Sequence, residues 1–350
     1  MKNTTHRKYL FIAISIVGVL FVLFYETSRL NQPPNAIQYI SVKRSAGNPL
    51  ITPASSSLIG NNINGPSVIR VPKWVSNPLG RYYMYFAHHR GKFIRMAYAD
   101  NLSGPWTVYA TGVLHLNNVP ICRGHIASPD VHIDHQNRSI IMYFHGPVKR
   151  TDMQSTLSAT SKDGLLFNAG TKILGKPYFR VFSWDGLLYA INAGGGLNLY
   201  DAESGEWHSR EKPVLPFVTI DDSYGRRTDV KIRHSAVFVD NDLLYLFYSR
   251  KRDAPERILA STIRLTGDWN QWTASQPLEV MRPQESYEGI QYPIRPSTGG
   301  AGTHVHQLRD PYLFHEDGQF YLFYSIVGEM GIAMAEITLI LEKGTISPAN

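Results

Sequence analysis

The residues best suited to chemistry in this chain are acids set at the leading edges of aromatic runs. His306–Ser325 reads HQLRDPYLFHEDGQFYLFYS, with Arg309 and Asp310 just ahead of Pro311, and ASPDVHI (Ala127–Ile133) places Asp130 at a comparable edge. An aspartate beside a cation tends to stay ionised, so Asp310 next to Arg309 is expected to be a carboxylate at neutral pH. Glu288, in ESYEGIQYP, has Tyr287 and Tyr292 for neighbours. Partial desolvation by those rings would raise its pKa, as a general acid requires. The expected catalytic groups are therefore Asp130, Asp310 and Glu288. An ionised and a protonated carboxyl in one cavity could carry acid–base work on a small molecule, provided the fold brings them together.

Aromatic runs elsewhere suggest how it does. GPSVIRVPKWVSNPLGRYYMYFAHH, SPDVHIDHQNRSIIMYFHG, YFRVFSWDGLLYAIN, RHSAVFVDNDLLYLFYSR and RDPYLFHEDGQFYLFYS each read as strand, turn, strand. Asn, Asp or Gly stands at every turn, where positive φ or side-chain capping is needed. A third strand of smaller residues follows each pair, and in the first four units a further turn and an aromatic. Four antiparallel strands per unit, repeated, is the signature of a β-propeller. The fold class is all-β, a five-bladed β-propeller preceded by one N-terminal transmembrane helix. NPLITP (Asn48–Pro53) is expected to supply the outer strand that closes the ring.

In such a ring the starts of first strands and the ends of second strands meet on one face. The starts are taken as Asn64, Asp130, Arg180, His234 and Asp310, which puts the two aspartates at equivalent positions on different blades. The second-strand ends bring His88, His89, His145 and Arg250. With His125 and Arg309, these residues (Asn64, His88, His89, His125, His145, Arg180, His234, Arg250, Arg309) are the expected substrate contacts of an axial funnel. Glu256 is expected to pair with a nearby arginine. His304 and His306 read as structural or substrate-contacting rather than as metal ligands.

The N-terminal segment differs. An uncharged apolar run from Tyr9 to Tyr25 follows Lys2, Arg7 and Lys8, close to the shortest length that spans a bilayer. The charge bias keeps residues 1–8 cytoplasmic and exports the rest, to a periplasmic, extracellular or luminal space. A cleaved signal peptide is the rival, but no small-residue cleavage site follows. Residues 26–45 read as a linker and 46–345 as the propeller. A single cysteine, Cys122, excludes an internal disulfide, so a large core must hold the domain. Of the net charge of +7, three units precede the apolar run, and no nucleic-acid recognition motif is present. NAGGGLNLY is glycine-rich but lies between strands, without the helix that a phosphate-binding loop opens. No cofactor is expected, although a structural divalent cation in the axial channel stays open.

ASPDVHI resembles the Trp-Ala-Pro-Asp-Val element of family-43 glycoside hydrolases, and RDPYLF (Arg309–Phe314) resembles the Asp-Pro strand openings of that clan. Families 32, 62, 68, 117 and 130 share the five-bladed propeller and an axial carboxylate site. The resemblance implies an oligo- or polysaccharide substrate and gives Asp130 the role of the carboxylate that tunes and orients the acid. The Arg and Lys on the rim read either as a site for a substrate bearing carboxylate, sulfate or phosphate or as a solvated basic surface. The family's base position in the first blade is filled here by Gly65, in INGPS, and its acid position in the third blade by GKPYF with Lys176. Three readings follow: a glycosidase with a relocated pair, Asp310 with Glu288 or with a histidine acid; a phosphorylase needing one enzymatic acid; or a propeller that binds glycan without cutting it.

Overall fold

In the computed structural model, residues 36–215, 218–221, 227–297, 299–300, 303–341 and 344–345 are described. Five sheets carry the chain. Blade I comprises Asn64–Arg70, Tyr82–Ala87, Phe93–Ala99 and Thr107–His115; blade II comprises Ala127–Asp134, Ser139–Pro147, Gln154–Ser161 and Asn168–Ala169. Blade III comprises Arg180–Trp184, Leu187–Ile191, Leu197–Asp201 and Glu206–Ser209. Blade IV comprises Ile232–Asp240, Leu243–Arg250, Ile258–Arg264 and Leu278–Met281. In blade V, Arg309–Glu316, Gln319–Ser325 and Ile332–Leu341 are followed outward by Ile37–Arg44. Every neighbouring pair in these sheets is antiparallel. Two-residue turns Asp185-Gly186 and Asp317-Gly318 hold both residues at positive φ, the geometry whose twist matches a hairpin.

Ring closure corrects the sequence reading. The outer strand of blade V is Ile37–Arg44, running from Ile37 opposite Leu341 to Arg44 opposite Ala335. It falls in what reads as the 26–45 linker, so the propeller begins earlier than residue 46. Asn48–Pro53 contributes only a bridge from Ile51 to Ile332. This also accounts for the fifth unit's lack of a fourth strand of its own: the start of the domain supplies it. A separate hairpin, Val218–Asp221 with Arg227–Val230, lies between blades III and IV. The apolar run 9–25 lies outside the described residues. Among the described residues no helix is long and apolar enough to cross a membrane.

The first strands share one irregularity. In blade I the pairing passes from Asn64–Ala87 to Ser67–Tyr85, in blade II from Ala127–His145 to Asp130–Tyr143, and in blade V from Arg309–Ser325 to Tyr312–Phe323. Three residues on the inner strand face two on its neighbour, a bulge with a proline (Pro66, Pro129, Pro311) that needs no ladder partner for its nitrogen. The residue before each proline has positive φ: Gly65 at 61°, Ser128 at 50° and Asp310 at 48°. Blade IV repeats the register jump between Ile232 and Ser235. Bulges of this kind re-aim a side chain out of strand alternation, here at the level where the blades meet.

Candidate active site

The bulge frame separates the two aspartates that read as equivalent. Asp310 sits at the level of Gly65 and Ser128, whereas Asp130 sits at the next level, with Ser67, Ser235 and Tyr312. Contacts around the axis agree. A Cβ on Gly65 would lie 3.6 Å from Cα of Ser128. The Gly65 amide donates to Ser325 Oγ (3.3 Å), which donates to Asp310 Oδ2 (3.1 Å). One level on, Ser67 Oγ accepts from the Val131 amide (2.9 Å), and Asp130 Oδ2 accepts from the Val181 amide (3.0 Å). Asp130 thus does for blade III what Ser67 does for blade II, clamping the backbone of the next inner strand.

Asp310 and His234 make the closest contact on the axis, Oδ1 against Nδ1, and both are buried. Burial, then Arg180, Arg233 and His145, hold His234 well below the usual imidazole range. In a neutral ring one nitrogen carries the proton and the other a lone pair, and a carboxylate beside Nδ1 favours the tautomer with its lone pair on Nε2. Among the described residues neither ring nitrogen of His234 nor Oδ1 of Asp310 makes a well-formed hydrogen bond. Tyr178, with φ of 67°, stands between His234 and His145, its ring centroid 4.2 Å from the first and 4.1 Å from the second. Its hydroxyl is pushed up to about 12 by burial and by Glu329. His145 is also buried and neutral, lowered by burial and then by His125 and Arg180, with Nδ1 unpartnered. Arg180 links blades II and IV within the Asp130 level: Nε donates to Ser235 O (2.7 Å) and Nη1 lies 3.8 Å from Asp130 Oδ1. His132 Nε2 meets Asp130 Oδ2 at 2.8 Å. Asp130 is held below the usual carboxylate range: burial opposes this, but His132, Arg180 and the Val181 amide outweigh it.

Beside this cluster runs a buried ladder of alternating charge. Arg233 Nε donates to Glu256 Oε1 (2.7 Å), Arg309 Nε lies 3.3 Å from Glu256 Oε2, and Arg309 Nη1 donates to Glu329 Oε1 (2.9 Å). Glu256 pairs with arginine as its loop suggested. Both arginines also reach Gly299 O and Ser297, so the ladder pins the loop before blade V. Glu329 Oε2 accepts from Asn62 Nδ2 (2.8 Å) and Asn64 Nδ2 (3.3 Å), with His89 Nδ1 3.9 Å away. His89 lines a cavity of about 540 Å3 with His88, Arg90, Asn61, Asn62 and Gly300. Arg309 and Asn64 are therefore framework for this mouth, while His88 and His89 are partly exposed within it.

Glu288 is held elsewhere. Its carboxylate accepts from Arg44 Nε (2.7 Å) and Nη2 (3.0 Å), Tyr324 Oη (2.9 Å), and the amides of Gln284 (2.7 Å) and Glu285 (3.2 Å). These donors fill its lone pairs, and Arg44 belongs to the outermost strand of blade V. Tyr287, expected to desolvate it, bonds Asn48 Nδ2 instead (3.1 Å). Arg250 pairs with Asp253 (3.1 Å), and His304 lies 4.9 Å from the Tyr292 ring. His125 sits at the edge of the axial group, 6.4 Å from His145. Sequence reasoning did not single out Tyr178, His132, Arg233 or Glu329. Arg233 adjoins His234 in RHS, and Glu329 closes YSIVGE, so both lay inside stretches already read as facing the funnel. Among the described residues no group of three or more His, Cys, Asp or Glu is placed to hold a metal ion.

No protein-family model matches the chain. Uncharacterized protein R118 of Acanthamoeba polyphaga mimivirus is 38% identical over 306 residues, covering 79% of this chain and 83% of that protein. Among solved structures, a GH43 β-xylosidase/α-arabinofuranosidase from a compost microbial metagenome superposes with a TM-score of 0.56 at 14% identity, over 88% of this chain and 98% of its own. A GH43_1 enzyme from Xanthomonas citri gives 0.54 at 15%, over 82% and 91%. A structure from the GH130 family of mannoside phosphorylases, which contains glycoside hydrolases targeting β-1,2 mannosidic linkages in Candida mannan, gives 0.57 at 12%, over 89% and 97%. At such identities the likeness is one of fold: the five-bladed β-propeller of these glycoside-active enzymes.

Proposed function

Since the chain belongs to one family with the mimivirus protein R118 and has the fold of the glycoside-active propellers, we propose that it is a glycan-acting enzyme whose proton-transfer group is the axial Asp310–His234 pair. The observation that carries this reading is the contact between those two side chains at a bulge facing the axis, with Nε2 of His234 unpartnered. Glycosidic cleavage needs a group that moves a proton at the bridging oxygen or at the incoming nucleophile, and a negative charge that supports the sugar cation. With Nδ1 oriented by Asp310, His234 Nε2 takes a proton from a hydroxyl or water, and the carboxylate stabilises the imidazolium that forms. Asp130, ionised one level deeper, supplies negative potential along the axis and, through Arg180, sets the position of the His234 strand. Glu288 has no part in this pair, and the histidine acts here as a base, not as the acid that the sequence raised.

The test is turnover of a panel of oligo- and polysaccharides by the purified chain, with and without inorganic phosphate. Asp310→Asn is expected to lower turnover by about 10²- to 10⁴-fold. Activity within a few-fold of wild type in that variant removes the pair from the mechanism. Turnover that depends on phosphate identifies a phosphorylase, and glycan binding without turnover identifies a lectin-like propeller.

A further inference from the structure

A cation with no counter-ion among the described residues lies under the blade I side of the mouth. Arg95, in the third strand of blade I, is 4% exposed, and its Nε and Nη1 meet no hydrogen-bond acceptor. Phe93 covers one face of the guanidinium, 4.9 Å from ring centroid to Cζ. Two glycines pack close to its nitrogens. A Cβ on Gly91 would sit 3.4 Å from Nη1, and one on Gly60 would sit 4.0 Å from Nη2 and 3.7 Å from the His88 ring. His88 in turn lines the cavity of about 540 Å3 that Arg90 and His89 border. Burial draws the pKa of Arg95 down to about 10, so it remains a cation at neutral pH, and no carboxylate among the described residues balances it. The buried arginines of blades IV and V are all paired; this one is not, and an uncompensated buried charge is costly unless something arrives to meet it.

We propose that Arg95, with His88 and Arg90, forms an oxyanion subsite that takes a carboxylate, sulfate or phosphate group of the substrate. For the sugar that bears the group this rests on the glycan-acting reading; the oxyanion site itself does not. A planar fork of donors suits such a group better than a point charge would. Glu329 is the carboxylate that approaches the same cavity, 3.9 Å from His89. Its oxygens are engaged by Arg309, Asn62 and Asn64, so it opposes an anion on the blade V side and leaves the Arg95 side to one. The mouth thus has a side suited to sugar hydroxyls and a side suited to a negative group.

The full chain is titrated with sodium phosphate, sodium sulfate and glucuronic acid, with glucose as a neutral control, at constant ionic strength, and binding is read by calorimetry and by the shift in Tm. At least one oxyanion is expected to bind and raise Tm while glucose does not. The responding probe identifies the group, and glucuronic acid separates a sugar-borne anion from a free one. Arg95→Met is expected to weaken that binding by about tenfold or more and to raise the ligand-free Tm, because an unpaired buried charge is gone. If Arg95→Met does not fold, Arg95→Lys keeps the charge and loses the fork, and weaker binding is again expected. No response from any oxyanion, or wild-type affinity in the folded Arg95 variant, overturns the subsite. Asp310→Asn should leave the titration unchanged. A chain that binds oxyanion but turns over no glycan therefore sinks the enzymatic reading alone, and one that cleaves a neutral glycan without any oxyanion response sinks the subsite alone.

Discussion

Two buried carboxylates of blade V and the insertion before it have opposite surroundings. Glu288 is fully buried and receives hydrogen bonds from Arg44, Tyr324 and two backbone amides. Asp310 is as deeply buried, yet it lies against a histidine, and neither its Oδ1 nor either ring nitrogen makes a well-formed hydrogen bond among the described residues. Both had the marks of a catalytic carboxyl in the sequence: Glu288 had aromatic neighbours, and Asp310 had a cation beside it and an aromatic run behind it. What separates them is satisfaction. A carboxylate whose lone pairs are filled is a clasp, and its displacement costs stability. Polar atoms left open beside an oriented partner have capacity for a substrate.

Exchanging the two should split stability from activity. Glu288→Gln leaves Arg44 without its counter-charge and loosens the strand that closes the ring. A loss of about 3 kcal/mol is expected, at the lower end for a broken buried pair because Arg44 is partly exposed. The measurement is denaturant unfolding, and the residual folded protein should keep its turnover. Asp310→Asn should do the reverse, losing turnover with a smaller change in stability. If Glu288→Gln instead abolished activity with stability intact, the clasp would be the active site and the comparison would be inverted.

The comparison was only partly legible before the fold was known. The five units, their turns and the convergence of strand starts on one face follow from local patterns, which strand–turn–strand periodicity encodes directly. The pairing of Glu288 does not, because Arg44 and Tyr324 reach it only after Ile37–Arg44 has crossed to the last blade. The mistaken equivalence of Asp130 and Asp310 has a specific cause. A three-against-two bulge shifts the inner strand's frame, and the alignment signal was the proline: Gly65-Pro66, Ser128-Pro129 and Asp310-Pro311 are the matching steps. Glu329 was missed because its partners Asn62, Asn64 and Arg309 come from both ends of the domain.

Acid should affect the axis before it affects the clasp. His145 and His234 are held below 6.5 in the folded chain by burial and by neighbouring cations. Unfolding lets them bind protons at about pH 6.5. In the window below that value the unfolded chain carries more protons, so stability falls as pH falls and is complete only above it. Asp130, whose folded pKa is also depressed, acts in the same sense, but its share is lost only below about pH 4. Between pH 7 and 5 the loss is therefore assigned to the histidines, at about 1 kcal/mol per pH unit for each. His145→Asn should flatten the slope of Tm against pH over that range. An unchanged slope would mean that His145 is already protonated in the fold.

The smallest expected effect tests how complete the clasp is. Tyr324 Oη donates to Glu288 Oε1, the same oxygen that receives Arg44 Nε. Tyr324→Phe removes one donor and leaves the oxygen still bound to a guanidinium, so no lone carboxylate is created. The ring keeps its place in the core between blades IV and V. A loss of about 1 kcal/mol is expected, the usual size for one hydrogen bond whose acceptor stays satisfied. A double-mutant cycle with Arg44→Met should show coupling, because the carboxylate bonded to both then loses both. Additive losses would show that the two donors act on Glu288 independently. The clasp would then be a set of separate contacts rather than one coupled unit.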